Sequence, residues 1–408
     1  MNKRLIVIRD ETLRDGAQQP GINLTSKDRY EIAFLSAEIL NSSSNTKNNQ
    51  IDLGMPEVSE KLLKNLKDTS KAIVKKYNGI DLFVTGRATK DAIDAMCDSL
   101  NDIPTSRKII APFLGISQTH REKLGLTKKE VLLKIKDAVE YSKKYITRIH
   151  FPLEAGFYAY LEDRNFVYEI FSLLSDLGVE AVPFCDTVGI ALPFSRGKYI
   201  SYGFAIDDLR RHFPKLQISV HCHNDLGLAV ANTIEGLLMG AEIADGTYFG
   251  IGERAGNASL ETLLVAISEK ENHLGLRVQA NLKKLYPLSL KIKKILKIKI
   301  ADNTPVIGKN AFTHASGIHQ DGTLKNKEIY QPYEPKIIGR KGHKIVLGHL
   351  SGKRGIEYIL RNKFDIQFSE KILLLIVKKF KEVEDFEGNP EQQLQRIAKK
   401  YLNRKKRI

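Results

Sequence analysis

Gln217-Ile218-Ser219-Val220-His221-Cys222-His223-Asn224-Asp225 reads as a short buried strand that turns polar at its C-terminal end. Side chains on a strand alternate with period two, so His221 and His223 face the same way. Two such imidazoles can ligate one divalent ion once a carboxylate joins them from another strand end. Taken alone, a strand His-x-His leaves a second reading open, that of two polar residues lining a barrel mouth. Seven similar runs flank this one: Leu5–Ile8, Ile51–Leu53, Ile80–Val84, Lys108–Phe113, Thr147–Phe151, Glu180–Phe184 and Ala241–Ala244. Helical patterns separate most of them, and strands alternating with helices in this number predict an α/β TIM (β/α)8 barrel.

The intervening helices carry start signals. Ser26 is placed to cap a helix over Asp28–Ile39, and Thr127 one over Lys128–Tyr145. The pattern predicts a barrel over residues 1–270 and a linker and lid segment over 271–325. A small, mainly helical subdomain follows over 326–408. Gly308, Gly317 and Gly322 are read as supplying the backbone freedom of a lid. The basic tail from Ile356 to Tyr401 reads as helical and runs into Arg404-Lys405-Lys406-Arg407, most simply a solvated helix end.

Composition narrows the function classes. Of 408 residues, 42% are hydrophobic, enough to bury a large core. No run of ~18 apolar residues predicts a membrane span, and the N-terminus has no signal-peptide layout. Three scattered cysteines (Cys97, Cys185, Cys222) fit a reducing cytoplasm. The net charge of +16 has three readings: a nucleic-acid footprint, lysines on solvated helix faces, or a field that attracts anionic substrates. No nucleic-acid motif accompanies the charge, which leaves the last two.

In such a barrel, functional groups gather where strands end at the C-terminal face. The first strand leads into Arg9-Asp10-Glu11-Thr12-Leu13-Arg14-Asp15-Gly16-Ala17-Gln18, and the eighth into Gly250-Ile251-Gly252-Glu253-Arg254-Ala255-Gly256-Asn257. Closure sets the eighth strand against the first, so Asp15 and Asn257 converge on His221 and His223. The mixed nitrogen and oxygen donors suit Mn²⁺, Mg²⁺ or Zn²⁺ alike, and the lack of paired thiolates argues against a structural zinc site. Open positions on such an ion would chelate a substrate and polarise its carbonyl.

Asp10 to Gly16 is similar to the D-x-T-L-R-D-G signature of acyl-CoA-condensing barrels. His221 to Glu261 is similar to their second signature, H-x-H-N-D through G-x-G-E-R-x-G-N. Asn310-Ala311-Phe312-Thr313-His314-Ala315-Ser316-Gly317-Ile318-His319-Gln320-Asp321-Gly322 resembles their lid segment. Leu347-Gly348-His349-Leu350-Ser351-Gly352-Lys353 resembles, imperfectly, the stretch beyond it. The chain thus resembles the 2-isopropylmalate/homocitrate synthase family from Asp10 to about Gly355.

The resemblance implies a metal-dependent condensation of acetyl-CoA with a 2-oxo acid, followed by thioester hydrolysis, in a homodimer. It implies metal ligands Asp15, His221, His223 and Asn257, and Arg14 at the forming oxyanion; a salt bridge across the barrel mouth is the other reading of Arg14. His319 would be the acid/base, supported by Tyr330 or Tyr333, unless His319 and His314 only pack the lid. Thr187 would bind the oxo acid's carboxylate, Glu154 would stand near the substrate, and Gln18, Ser117 and His120 would contact it.

Ser117-Gln118-Thr119-His120 looks like the S-x-x-H segment of isopropylmalate synthases, with no arginine between Ser117 and His120 for a second carboxylate. That favours 2-oxoisovalerate over the homocitrate-type substrate. Phe151-Pro152-Leu153-Glu154-Ala155 departs from the family's S-x-E-D, and Ala17 replaces an acidic or amide residue, so a nonstandard oxo acid stays open, with Arg121 or Arg164 free for a second carboxylate. The same barrel also supports hydroxymethylglutaryl-CoA-lyase-like cleavage. One helical tail after Lys353, without a regulatory domain, leads to the expectation of no leucine inhibition.

Overall fold

Eight parallel strands close on themselves: β1 (Arg4–Asp10), β2 (Asn49–Asp52), β3 (Ile80–Arg87), β4 (Lys108–Gly115), β5 (Leu153–Glu154), β6 (Ala181–Asp186), β7 (Gln217–Cys222) and β8 (Ile243–Gly246). The computed structural model describes residues 3–41, 47–386 and 388–405. β1 pairs in register with both β2 and β8, which shuts the barrel and leaves those strands no open edge. At the closing seam Val7 stands opposite Ile243, and Arg9 opposite Asp245.

The fifth strand differs from the expected Thr147–Phe151. Ile149 and His150 form only isolated bridges, to Ile110 and Ala181, and the regular pairing lies at Leu153–Glu154. Pro152 lacks an N–H and interrupts the ladder between them. Ala155 follows with φ 55°, a left-handed turn that a residue with a β-carbon adopts at a cost.

The helices follow their caps. Thr25, rather than Ser26, caps Ser26–Leu40 through a reciprocal pair with Asp28, because the acceptor must stand three residues before the acidic partner. Thr127 caps Lys128–Ser142 with Glu130 in the same way.

The barrel unit runs to Lys299 instead of stopping at 270. β9 (Leu276–Val278) extends the sheet beside β1, and the helix Leu285–Leu296 packs on Ser26–Leu40, burying Leu285, Leu288 and Ile292. Residues 271–299 are therefore barrel wall, not linker.

The second unit begins at Ile300. It has its own core of Ile356, Leu360, Leu373, Ile376, Phe380 and Leu394. The expected single helical tail is three helices, Lys353–Asn362, Glu370–Lys381 and Pro390–Lys405. Lys406 and Arg407 of the terminal basic run lie outside the described residues. The three glycines read as hinge points have no left-handed φ. A β-carbon at Gly308 would stand 2.5 Å from the Asp302 carbonyl, at Gly317 2.7 Å from the Gly352 amide, and at Gly322 2.4 Å from the Tyr330 ring. They serve close packing. No helix among the described residues is long and apolar enough to cross a membrane.

All three cysteines are unpaired. Burial pushes the Cys97 thiol up to about 11, and those of Cys185 on β6 and Cys222 on β7 well above the ordinary thiol range.

The loop after β8, which ends at Asn257, is anchored from below. The Glu261 carboxylate, fully buried, accepts the Phe249 N–H at 2.9 Å and holds Phe249 at φ 63°. Burial raises the Glu261 carboxyl from 4.5 to about 7. The folded state thus holds this proton while the unfolded chain releases it, and stability falls as pH rises from about 4.5 through about 7. Glu261→Gln, which keeps the acceptor, should flatten that slope by a few kcal/mol across the window. Urea titrations of both proteins at pH 5 and pH 8 measure it, and equal slopes would refute the assignment.

Candidate metal and substrate site

At the C-terminal ends of the strands lies a cavity of about 280 Å³. Asp15, from the turn after β1, meets His221 of β7 and His223, one residue past its end, there. Its Oδ2 is 3.6 Å from His221 Nε2 and 3.7 Å from His223 Nε2. These separations are too long for hydrogen bonds. They are near the ~3.0–3.5 Å that separates two donors sharing one ion at ~2.1 Å. All three residues are buried, and their ligand atoms lie within 4.8 Å of one another. Asn257 donates its amide to Asp15 Oδ1 at 2.8 Å, and its own carbonyl oxygen is buried with no hydrogen-bond partner. His223 Nδ1 is likewise orphaned. One anionic oxygen, two imidazole nitrogens and a spare amide oxygen make a donor set that fits a divalent cation.

Support for the histidines comes from beneath. His221 Nδ1 lies 3.5 Å from Asp245 Oδ2, which fixes the ring so that Nε2 faces Asp15. Asp245 also accepts the Ser219 hydroxyl at 2.6 Å and pairs with Arg9 at 3.3 Å. Burial alone would raise Asp15, but Arg14, His221 and His223 hold it well below the usual carboxylate range. Burial lowers His221, and the Asp15 and Asp245 carboxylates on either side of the ring overturn that and bring it to about 9. Burial, with the neighbouring His221, holds His223 down at about 4.

Arg14 lines the same cavity. Its Nε donates to Glu11 at 2.6 Å, Nη2 reaches the same carboxylate, and Nη1 lies 3.0 Å from Asp15 and Nε 3.5 Å from Asp52. These ion pairs, within Arg14's own turn and to the end of the neighbouring β2, fix the guanidinium at the cavity wall. Gln18, Glu154 and Thr187 line the cavity too. Ser117 and His120 stand behind it: Ser117 Oγ is 2.7 Å from His120 Nδ1, and His120 Nε2 is 3.6 Å from Glu154 Oε1. Arg121 lies over the Phe166 ring and Arg164 pairs with Asp208, so both are engaged away from the cavity. His319 lies in the second unit on the helix Gly317–Lys325, its ring stacked on Tyr330 at 4.0 Å and 6.0 Å from His314.

Glu11, Asp52, Asp245 and Arg9 were not singled out from the sequence. Arg9 and Asp245 carried no local signal, since each lies just past an expected apolar run, Leu5–Ile8 or Ala241–Ala244. Asp52 carried none until β2 was placed beside β1.

The strand ends of a closed parallel barrel thus bring together an Asp–His–His cluster with the donor set of a metal site, a fixed guanidinium and a threonine. The HMGL-like family matches residues 5–292, and the homocitrate synthase post-HMGL domain-like family matches residues 306–387. The chain is 34% identical over 392 residues to 2-isopropylmalate synthase 1 of Caldanaerobacter subterraneus subsp. tengcongensis, covering 94% of this chain and 92% of that one. It is 36% identical to the probable 2-isopropylmalate synthase of Ignicoccus hospitalis (98% and 92%) and 35% identical to the 2-isopropylmalate synthase of Pyrococcus furiosus (99% and 77%). Among solved structures, the Bacillus subtilis HMG-CoA lyase superposes with a TM-score of 0.59 at 19% identity, covering 74% of this chain and 97% of that one, a likeness of fold. The chain belongs to the HMGL-like family and, within it, to the acyltransferases that include the 2-isopropylmalate synthases.

Asp15→Asn and His221→Ala should each weaken Mn²⁺ binding by ~100-fold or more, since the first removes the site's anionic charge and the second a nitrogen donor. Calorimetric titration of the purified proteins reads this directly, and wild-type affinity in both would refute the ligand set.

Proposed function

We propose that the chain condenses acetyl-CoA with a 2-oxo acid and hydrolyses the resulting thioester, with 2-oxoisovalerate as the acid. The observation that carries this is the Asp15–His221–His223 triangle beside Arg14 and Thr187 in one cavity. A divalent metal (Mn²⁺, Mg²⁺ or Zn²⁺), held by Asp15, His221, His223 and Asn257, would supply Lewis acidity to the oxo acid's ketone.

The chain's own groups do the rest. Thr187 donates to the oxo acid's carboxylate and so sets which face of the ketone is open. Arg14, immobilised by Glu11, faces the oxygen that gains negative charge when the acetyl-CoA enolate adds, and its cost of reorganisation is already met by the fold. His319 moves the proton of the thioester methyl, directly or through water, the acid/base work for which an imidazole is the usual side chain. Glu154, with His120 and Ser117 behind it, orients the reacting partners, and Gln18 lies at the rim.

Met55, Phe83, Phe113 and Pro152 supply an apolar wall for a small branched substituent. Arg9, Arg14 and Arg254, the arginines lining the cavity, each already face a carboxylate, at Asp245, Glu11 and Asp225. A second substrate carboxylate, as in the homocitrate-type reaction, would compete with those pairs. The lyase direction has only the likeness of fold behind it. A cytoplasmic homodimer belongs to the same proposal, supported by family membership and by the unpaired thiols.

Metal-loaded protein with acetyl-CoA and, in turn, 2-oxoisovalerate, 2-oxoglutarate, pyruvate and oxaloacetate should release free thiol with 2-oxoisovalerate, and release should stop on chelation. Release with 2-oxoglutarate alone would replace the substrate; none with any acid would remove the synthase reading. His319→Ala should lower kcat by ~10²–10⁴-fold without weakening binding of the oxo acid, the size expected for a lost acid/base group. An unchanged kcat would remove His319 from the chemistry.

A further inference from the structure

Thr187 sits in the turn after β6 and is tied down from two other strand ends. Its Oγ1 accepts the Ala155 N–H at 2.8 Å, an amide that points this way because Ala155 is held at φ 55° after β5. Its carbonyl accepts Arg254 Nη2 at 2.7 Å, from the loop after β8. Arg254 in turn grips Asp225, beyond β7, with Nε at 2.9 Å from Oδ1 and Nη2 at 2.8 Å from Oδ2. Asp225 presses on the same turn: a β-carbon at Gly189, two residues beyond Thr187, would stand 2.3 Å from its carboxylate. Asp186 closes the turn from within by accepting the Ile190 and Ala191 amides at 3.1 and 3.0 Å.

Two consequences follow from elementary hydrogen-bond bookkeeping. With Oγ1 accepting from Ala155, the Thr187 hydroxyl proton is directed away from that amide, and Thr187 lines the cavity. A bidentate arginine–carboxylate pair with a further bond to a main-chain carbonyl fixes both distance and angle, which a single ammonium does not. Arg254 itself has φ 55°, so the loop presents it in one backbone conformation.

We propose that Arg254 is a positioning residue for recognition of the oxo acid's carboxylate: clasped to Asp225, it holds the Thr187 turn so that the Thr187 hydroxyl donates into the cavity. The inference rests on the reading of Thr187 as the carboxylate donor.

The test is calorimetric binding of 2-oxoisovalerate to Mn²⁺-loaded protein without acetyl-CoA, beside steady-state kinetics. Arg254→Gln should weaken oxo acid binding and raise its KM about tenfold, with Mn²⁺ affinity and the KM for acetyl-CoA within twofold of wild type. Asp225→Asn, which loosens the clasp from its other end, should show the same split, and Arg254→Lys should recover only part of the loss. Because Arg254 acts through Thr187, Arg254→Gln/Thr187→Ala should bind no more weakly than Thr187→Ala. Wild-type binding in Arg254→Gln, full additivity in the double variant, or a loss confined to Mn²⁺ affinity would each overturn the proposal. Wild-type binding in Thr187→Ala would instead sink the reading of Thr187 beneath it.

Discussion

Arg9 and Asp245 face each other across the seam where β8 meets β1, and the site depends on that buried pair. Arg9 is fully buried, donates to Gln50 at 2.8 Å, lies 2.8 Å from His150 Nδ1 and sits over the Phe83 ring at 4.0 Å. A guanidinium there is tolerable only because every direction it faces offers an acceptor or a π-face. Asp245, kept ionised by it, is the group that orients His221. The charged pair at the closing seam of the barrel is thus also the support of His221, one of the proposed metal ligands.

The charges above the seam follow the same logic. Glu11, Asp15 and Asp52 surround Arg14, and none of these side chains is more than slightly exposed. Each alone would carry a heavy desolvation cost, and together they satisfy one another. Three carboxylates share one guanidinium, so it is the loss of Arg14 that leaves buried carboxylates uncompensated, and its variants must be read with a folding control. The same packing means that the donors are in place before substrate arrives, which is what electrostatic preorganisation requires.

The fold was largely legible because its signals are local. Eight apolar runs and the alternation at His221-Cys222-His223 need no tertiary information. What escaped was set by contacts between distant segments. Pro152 displaced the regular part of the fifth strand by interrupting a ladder whose partners are on other strands. β9 and the helix Leu285–Leu296 look like linker in sequence because their partner surfaces, β1 and Ser26–Leu40, are more than 200 residues away. Gly308, Gly317 and Gly322 advertise freedom in sequence, and only the backbone and ring pressed against them shows that they are there for lack of a side chain. In the site, residues inside a motif were found, while Asp52 and Asp245, which support those residues from neighbouring strands, became visible only with the register.

The burial of the three thiols reaches beyond structure into chemical durability. Thiolate is the species that disulfide reagents, peroxides and alkylating agents attack. Cys185 and Cys222 are buried, and Cys97 is half-covered and titrates near 11, so at neutral pH the protein offers almost no thiolate to such reagents. An enzyme whose product is a free thiol thus has little of its own to exchange with it: mixed disulfides with coenzyme A have no ready foothold, and a chromogenic thiol reagent reads the released coenzyme and not the catalyst.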